Sequence, residues 1–360
     1  MNVLISGASV AGPALACFLR AQGVEVTVVE RAPGLRRGGQ AIDIRGAALQ
    51  VAERMGILDA ARALKTDMRG MSMHDGDGNE IMRTTEETIS GGRLDSPDIE
   101  IMRDDLTRLI MAATSGVEYL WDDSIATLTQ DAGQVHVTFE RGASRTFDLV
   151  VGADGMHSNT RRLLFGAESQ FVEHLGTHVA IFTADNFLGL DRWQVWHREG
   201  AAGFGIYTVP GNAHLRVNLG FEGGAAAYDH RDVEQQRRLV AERCAGLRWI
   251  GPKLIEAMWQ ADDFYFDAMA QVHLERWSEG RVALLGDAAY CASPMSGQGT
   301  SLALVGAYVL ADEIGRSGCF GRYQERMAEF VALNQALAKE NPGQGASPES
   351  VAHAASAITL

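Results

Sequence analysis

The stretch Val3-Leu-Ile-Ser-Gly-Ala-Ser-Val-Ala-Gly12, followed by Val24-Glu-Val-Thr-Val-Val-Glu30, constrains the fold more than any other part of the chain. Val3 to Ser6 is predicted as a short buried strand, Pro13 to Gln22 as a helix stopped by Gly23, and Val24 to Val29 as a second, parallel strand. Gly7 lets the chain turn sharply out of the first strand, Gly12 lets the helix lie close to the sheet, and Ser9 stands where a second glycine admits a pyrophosphate. The first N–H groups of the helix face an anion, and Pro13 gives up an N–H that the helix does not need. Glu30, at the end of the second strand, is placed to accept hydrogen bonds from a ribose.

Two further glycine and acid stations follow. Leu149-Val-Val-Gly-Ala-Asp-Gly155 is a buried strand running into a turn, with Ser158 and Arg161 after it. Arg281-Val-Ala-Leu-Leu-Gly-Asp-Ala-Ala289 repeats that pattern, and Pro294, Gly297 and Gly299 precede a long apolar helix from about Thr300 to Ile314. Glycines before a helix N-terminus form an anion or carbonyl-oxygen site from backbone N–H groups. Between the stations, Met71–Asp75 and Glu80–Arg83 flank a Gly76-Asp-Gly-Asn79 turn, which predicts a hairpin and the entry of a second sheet. Segments 117–120, 125–129, 135–140 and 146–151 alternate as an antiparallel meander, and 171–269 is strand-rich and aromatic with one helix, Asp232 to Cys244.

These features predict an α/β fold with a Rossmann-like domain assembled from 1–70, 100–170 and 270–320. An antiparallel β-sheet substrate domain takes 71–99 and 171–269, and a C-terminal helix with a loose tail takes 321–360. A chain of 360 residues with net charge −14 disfavours nucleic acid and anionic membranes as partners. No apolar run is long enough to span a bilayer, and four cysteines without metal or C-x-x-C spacing, in a chain that opens on a core strand, suit the cytoplasm.

Taken in order, G-A-S-V-A-G with Glu30-Arg31, G-A-D-G-x-x-S-x-x-R from Gly152 to Arg161, and G-D-A-A-x-x-x-x-P-x-x-G-x-G from Gly286 to Gly299 resemble the FAD-dependent group A aromatic hydroxylases. The resemblance is closer to their tetracycline-oxidising-like bacterial branch and runs from Val3 to about Ala338. It implies an NAD(P)H-dependent monooxygenase that hydroxylates an aromatic or polyketide-like substrate with O₂ through a flavin C4a-hydroperoxide, as a monomer or homodimer. NADPH or NADH would visit transiently, since a second glycine fingerprint is absent.

By the same resemblance Glu30 would hold the adenosine ribose, Arg31 the adenine end, Asp43 and Arg103 the flavin side, and Asp287 the ribityl or pyrophosphate region. Asp154 would support both FAD and the nicotinamide cofactor, Arg36 would meet the latter's phosphate, and Pro294 would pack beside the isoalloxazine, with N–H groups of 297–300 aimed at its carbonyl. Tyr290, Ser301 and Val305-Gly306-Ala307 depart from the residues usual at their positions. No catalytic side chain stands out; His197, Tyr207, His214 and Arg216 are polar groups of the β-sheet region that could act on a phenol. His174 and His178 share helical spacing, but Gly176 between them argues against a metal pair. A flavin-dependent halogenase, for which Trp193-Gln-Val-Trp196 and Lys65 are poor matches, and a protein using FAD only as a scaffold for cyclisation or binding remain as alternatives.

Overall fold

The computed structural model describes residues 1–35, 38–224, 228–230, 232–341 and 345–360. Its nucleotide-type sheet has the order Ser278–Glu279, Val282–Leu284, Leu149–Gly152, Asn2–Ser6, Glu25–Glu30, Glu118–Trp121. All neighbours are parallel except the antiparallel edge pair 278–279 and 282–284. The central strands are continuous apolar runs because both faces are covered. Val3, Ile5, Val26, Val28 and Leu149 face the core that includes the helices Ala11–Ala21 and Gly299–Ser317. Leu4, Val29, Val150 and Val282 face a three-stranded antiparallel sheet, Ile125–Gln130, Val135–Phe139 and Arg145–Phe147.

That arrangement corrects the four-strand meander expected over 117–151. Only its two middle segments, with 145–147, form an antiparallel sheet; Glu118–Trp121 and Leu149–Gly152 are parallel strands of the large sheet. Alternation over four residues does not distinguish a parallel edge strand from an antiparallel one.

The second sheet has seven strands, in the order Tyr265–Val272, Val172–Asp185, His214–Glu222, Ala202–Thr208, Gln194–Glu199, Met71–His74, Glu80–Thr84. Leu215, Val217, Leu219 and Phe221 alternate onto one face, where they pack against the helices Val233–Cys244 and Gly251–Gln260. The second of these helices was not expected, although Pro252 in its first turn is a start signal. Tyr207, Arg216 and Asn218 point to the opposite face, which meets residues 38–41 of the other part of the chain.

The C-terminus is not a loose tail. Helix Pro348–Ser356 is capped by Ser347 Oγ, buries Ala354 and Ala355, and receives Asn334 Nδ2 on Ala354 O at 3.0 Å. The short last helix that the tail's sequence allows starts at Ser347-Pro348, a helix-start signal, and it is the looseness around it that the structure corrects.

Two of the unusual residues form one packing unit. Tyr290 Oη lies 2.8 Å from Tyr323 Oη, both rings are buried, and a Cβ on Gly306 would come within 2.1 Å of Tyr290 Oη. Gly306→Ala is therefore expected to cost about 1–3 kcal/mol through overpacking. Tyr290→Phe in the same chain should return part of it. Urea unfolding of the two single variants and the double variant measures this coupling, and additive losses would contradict it.

Candidate active site

Five parallel strands end on one rim, and the acidic stations lie there. Gly7, at φ +112°, donates its N–H to Val29 O at 2.8 Å, and a Cβ on it would sit 2.3 Å from Ala153 O. Only glycine adopts that conformation without strain. A Cβ on Gly12 would come 1.9 Å from Gly7 O, so helix and turn touch backbone to backbone. Glu30 accepts from Ala8 N and Ala32 N, each at 2.9 Å, and so holds the two loops that flank the turn. Between them is a cleft of about 160 Å³ lined by Ser9, Glu30, Leu35, Arg103, Thr107 and Trp121. Arg31 is exposed and outside that lining, and Arg36 lies outside the described residues. Arg103 donates Nη2 to Gly38 O at 2.9 Å and its backbone N–H to Gln40 O, fixing the approach to the strand Ala41–Ile44.

On that strand, Asp43 is buried and paired with Arg45 Nη2 at 2.9 Å, while its Oδ1 has no protein partner. Burial pushes its carboxyl up to about 7, with the Arg45 charge opposing the rise and Glu100 adding to it. Ser301 is a tie rather than a gap: its Oγ accepts from Arg45 N at 3.0 Å and joins this strand to the first turn of the long helix.

Asp154 is consumed by its own turn. Its carboxylate accepts from Thr160 N and Thr160 Oγ1, each at 2.9 Å, and from Ser158 Oγ and Ser6 Oγ. That network shapes the second station and leaves little of the group to reach a ligand. Asp287 is exposed, and a Cβ on Gly299 would be 3.9 Å from its Oδ1, so the two ends of the third station close on each other. Pro294 and Met295 are exposed beyond Ser293, a non-glycine residue at φ +73° whose Oγ caps Met295 N. Gln298 is wholly buried with both amide atoms unpartnered. Neither Ser293 nor Gln298 was singled out from sequence; the serine before Pro294 was the available signal.

The four polar candidates of the β-sheet region separate. His197 is turned to the helix-packed face, with its ring 5.1 Å from Phe204 and Nδ1 on His74 O at 2.9 Å, which corrects its candidacy as a base. His214 is exposed at the strand end, 3.5 Å from Asp185. Tyr207 and Arg216 are on the other face but act as struts. Tyr207 Oη accepts from Ala41 N at 2.9 Å, and burial raises its phenol, so it is no base at neutral pH. Arg216 Nη1 donates to Asp263 Oδ2 at 2.6 Å and to Thr183 Oγ1 at 2.8 Å. His174 and His178 lie on one strand with a bulge between them rather than on a helix.

His157, inside the second station, was also missed. Its Nδ1 lies 2.9 Å from Glu168 Oε1 and its Nε2 3.1 Å from Asp267 Oδ2 on the second sheet, with the His230 ring 3.9 Å away. Burial opposes its charge, but the hydrogen bonds it donates to Asp267 and Glu168, with their negative charges, outweigh burial and push the imidazole up to about 9. A pKa raised above that of the unfolded chain means stability present below about pH 6.5 and lost as pH rises through about 9. The melting temperature of His157→Gln should therefore fall short of the native value most near pH 6, and the gap should close above about pH 10. A gap that does not depend on pH would refute the charge.

A family model described as FAD binding domain matches residues 1–316. A flavin-dependent monooxygenase from an unknown prokaryotic organism is 37% identical over 340 residues, 93% of this chain and 88% of that one. The chain belongs to the FAD-binding flavin-dependent monooxygenases. The monooxygenase is also 53% identical over 355 residues to the uncharacterised protein MT1298 of Mycobacterium tuberculosis, covering 97% of this chain and 95% of that one. Among solved structures, tetracycline destructase Tet(51) superposes with a TM-score of 0.90 at 31% identity, covering 100% of this chain and 98% of that one. The residues present in the monooxygenase fit FAD: a backbone cradle at Gly7 and Gly12 that a Cβ would fill, and buried polar atoms of Asp43 and Gln298 without protein partners.

Proposed function

We propose that this monooxygenase takes hydride from NAD(P)H and inserts one atom of O₂ into an aromatic or polyketide-like small molecule. The observation that carries the reading is the meeting of two surfaces. The rim bearing Glu30, Asp154 and Asp287 faces the helix-free side of the seven-stranded sheet, with contacts at Tyr207–Ala41 and His157–Asp267. FAD, when bound, supplies hydride acceptance and oxygen activation. In this reading Glu30 orients its ribose, the N–H groups after Gly7 and the side chain of Asp287 flank its phosphates, and Pro294 to Gly299 border its ring. Tyr207 ties the second sheet to that rim through Ala41, and the Arg216–Asp263 pair packs against Gly38 beside it, so water is kept from the reacting atoms.

No observation favours the alternatives. Lys65, the loosest support for a halogenase, pairs with Asp67 at 3.2 Å and is exposed. The four cysteines are unpaired, which suits a cytoplasmic setting, and no helix among the described residues is long and apolar enough to cross a membrane. We place the enzyme there as a monomer or homodimer. The purified protein is expected to be yellow, to consume NAD(P)H and O₂ faster on adding a phenolic or polycyclic compound, and to place ¹⁸O from ¹⁸O₂ in the product. A colourless protein that cannot be reconstituted with FAD would overturn this.

A further inference from the structure

The register of the second sheet sorts its helix-free face into three rows that run across the strands. Gln194, Tyr207, Arg216 and Thr183 form the first row. Every member is engaged: Gln194 Nε2 donates to Ser90 Oγ, Tyr207 accepts from Ala41, and Arg216 binds Asp263 and Thr183. This row is a strut. Trp196, Gly205, Asn218 and Ile181 form the second, and Arg198, Gly203, Gly220 and Val179 the third, which ends on Asp267 beneath His157. The second and third rows therefore lie between two contacts with the nucleotide-binding part.

Trp196 lies flat across Gly205. A Cβ on Gly205 would fall 2.2 to 2.5 Å from Cζ3, Cε3 and Cη2 of the indole, so any other residue there would lift the ring off the sheet. The ring is held in its plane by Nε1 donating to Gln194 Oε1 at 3.0 Å, and Gln194 is tied in turn to Ser90. Trp196 is nevertheless half-buried, not enclosed.

Beside it, Gly203 and Gly220 are direct cross-strand partners. Gly220 is not glycine for want of space, since a Cβ there would meet only His178 O, at 3.2 Å, whereas one on Gly203 would come 2.7 Å from His197 O of the adjoining strand, so that position requires glycine. Both residues are half-buried, so the space above them is open. Two adjacent strands without side chains leave a dip about 10 Å wide, since strands are about 4.8 Å apart, and it lies about 7 Å along the strand from Trp196. An indole plane, a side-chain-free dip, Ile181 and Val179 make a flat apolar floor, edged by Arg198 and holding one amide, Asn218, whose Nδ2 also reaches Gly205 O at 3.5 Å.

We infer that Trp196, Gly203 and Gly220 select a planar substrate of three or more fused rings, stacked on the indole and continuing over the glycine dip, with Asn218 facing a ring hydroxyl or ketone. The inference deepens the monooxygenase reading and rests on it for the role of the site. A single-ring phenol covers one part of the floor only and gains little from the rest. Flat stacking against an aromatic plane adds to simple area burial, so its loss is read in affinity for the larger ring system.

The test is equilibrium dialysis of the FAD-loaded enzyme with 1,8-dihydroxyanthraquinone and with 4-hydroxybenzoate. Trp196→Ala is expected to raise the Kd for the three-ring compound about tenfold or more, while Trp196→Phe, which keeps a ring, stays within about threefold of native. Gly220→Leu, which fills the dip without touching the indole, should also raise it about tenfold. Kd for the single-ring acid should change less than about twofold in each. Bound FAD and the melting curve report folding of every variant. Native affinity for the three-ring compound in both Trp196→Ala and Gly220→Leu, or a native enzyme that binds it no better than the single ring, would overturn the floor. If the expected losses are seen yet no compound gains oxygen, the floor stands and the monooxygenase reading fails. If single-ring phenols are hydroxylated and three-ring compounds are not bound, the reading stands and the floor fails.

Discussion

Gly12→Ala is expected to give a protein that retains less than about a tenth of the native FAD, because a tenfold loss needs only about 1.4 kcal/mol. The added Cβ would lie 1.9 Å from Gly7 O and 3.3 Å from Ile5 Cγ2. The first of these is a backbone atom, and no rotamer change moves it. The helix Ala11–Ala21 must shift away from the sheet, carrying with it the N–H groups that border the cleft. Overpacking of this kind costs about 1–3 kcal/mol or more before any ligand is considered. Ser9→Gly is the matched control: Ser9 lines the cleft, and glycine there opens the approach to the backbone, so flavin content should be kept or rise. The ratio of flavin to protein absorbance after reconstitution decides the matter, and native flavin content in Gly12→Ala would refute the close-contact account.

The second large effect falls on stability. Arg161 is wholly buried, and its guanidinium donates Nη1 to Ala288 O at 2.9 Å and Nη2 to Met156 O and Glu168. Through these bonds the turn of the second station is fastened to the short helix Asp287–Tyr290 of the third. Burial lowers the pKa of the group, the Glu168 and Asp154 charges oppose that fall, and the charge is held in place by acceptors around it. Arg161→Met should lower the unfolding free energy by about 3 kcal/mol, the cost of two stranded carbonyl groups and a broken ion pair whose arginine is buried and whose Glu168 is half-buried. The figure lies at the low end for such changes because Glu168 keeps His157 as a partner. Arg161→Lys should fare little better, since a single ammonium cannot span acceptors that the planar fork reaches together. Guanidinium unfolding of the two variants measures this, and a lysine variant of native stability would contradict the forked geometry.

The three stations were legible because their signals are local. Glycine and acid at fixed distances from a strand end state their own geometry, and Arg161 was visible as a motif position, though its task of joining two stations was not. What escaped was long-range. Nothing within 118–121 or 149–152 tells which strands they will lie beside, so their alternation points to a meander while both pair in the parallel sheet. His197 and Trp196 are one residue apart and point to opposite faces; only the register against Phe204 and Gly205 decides which one lies on the helix-free face. Tyr207 and Arg216 carry the chemistry of candidate acids and bases, yet partners far along the chain, Ala41 and Asp263, turn them into supports. A short last helix is legible at Ser347-Pro348 among the glycines and prolines of the tail, while its reason for ordering lies at Asn334 and Gly46.

The strand order of the parallel sheet bears on how the polypeptide matures. Asn2–Ser6 leaves the ribosome before the other strands of its sheet, but its neighbour on one side is Leu149–Gly152, which pairs in turn with Val282–Leu284. At about 5–20 residues per second, roughly 10–60 s separate the first strand from the last. Through that interval a strongly apolar edge waits for its partner, which makes the nascent chain a natural client for chaperones and slow translation or early truncation a source of aggregate.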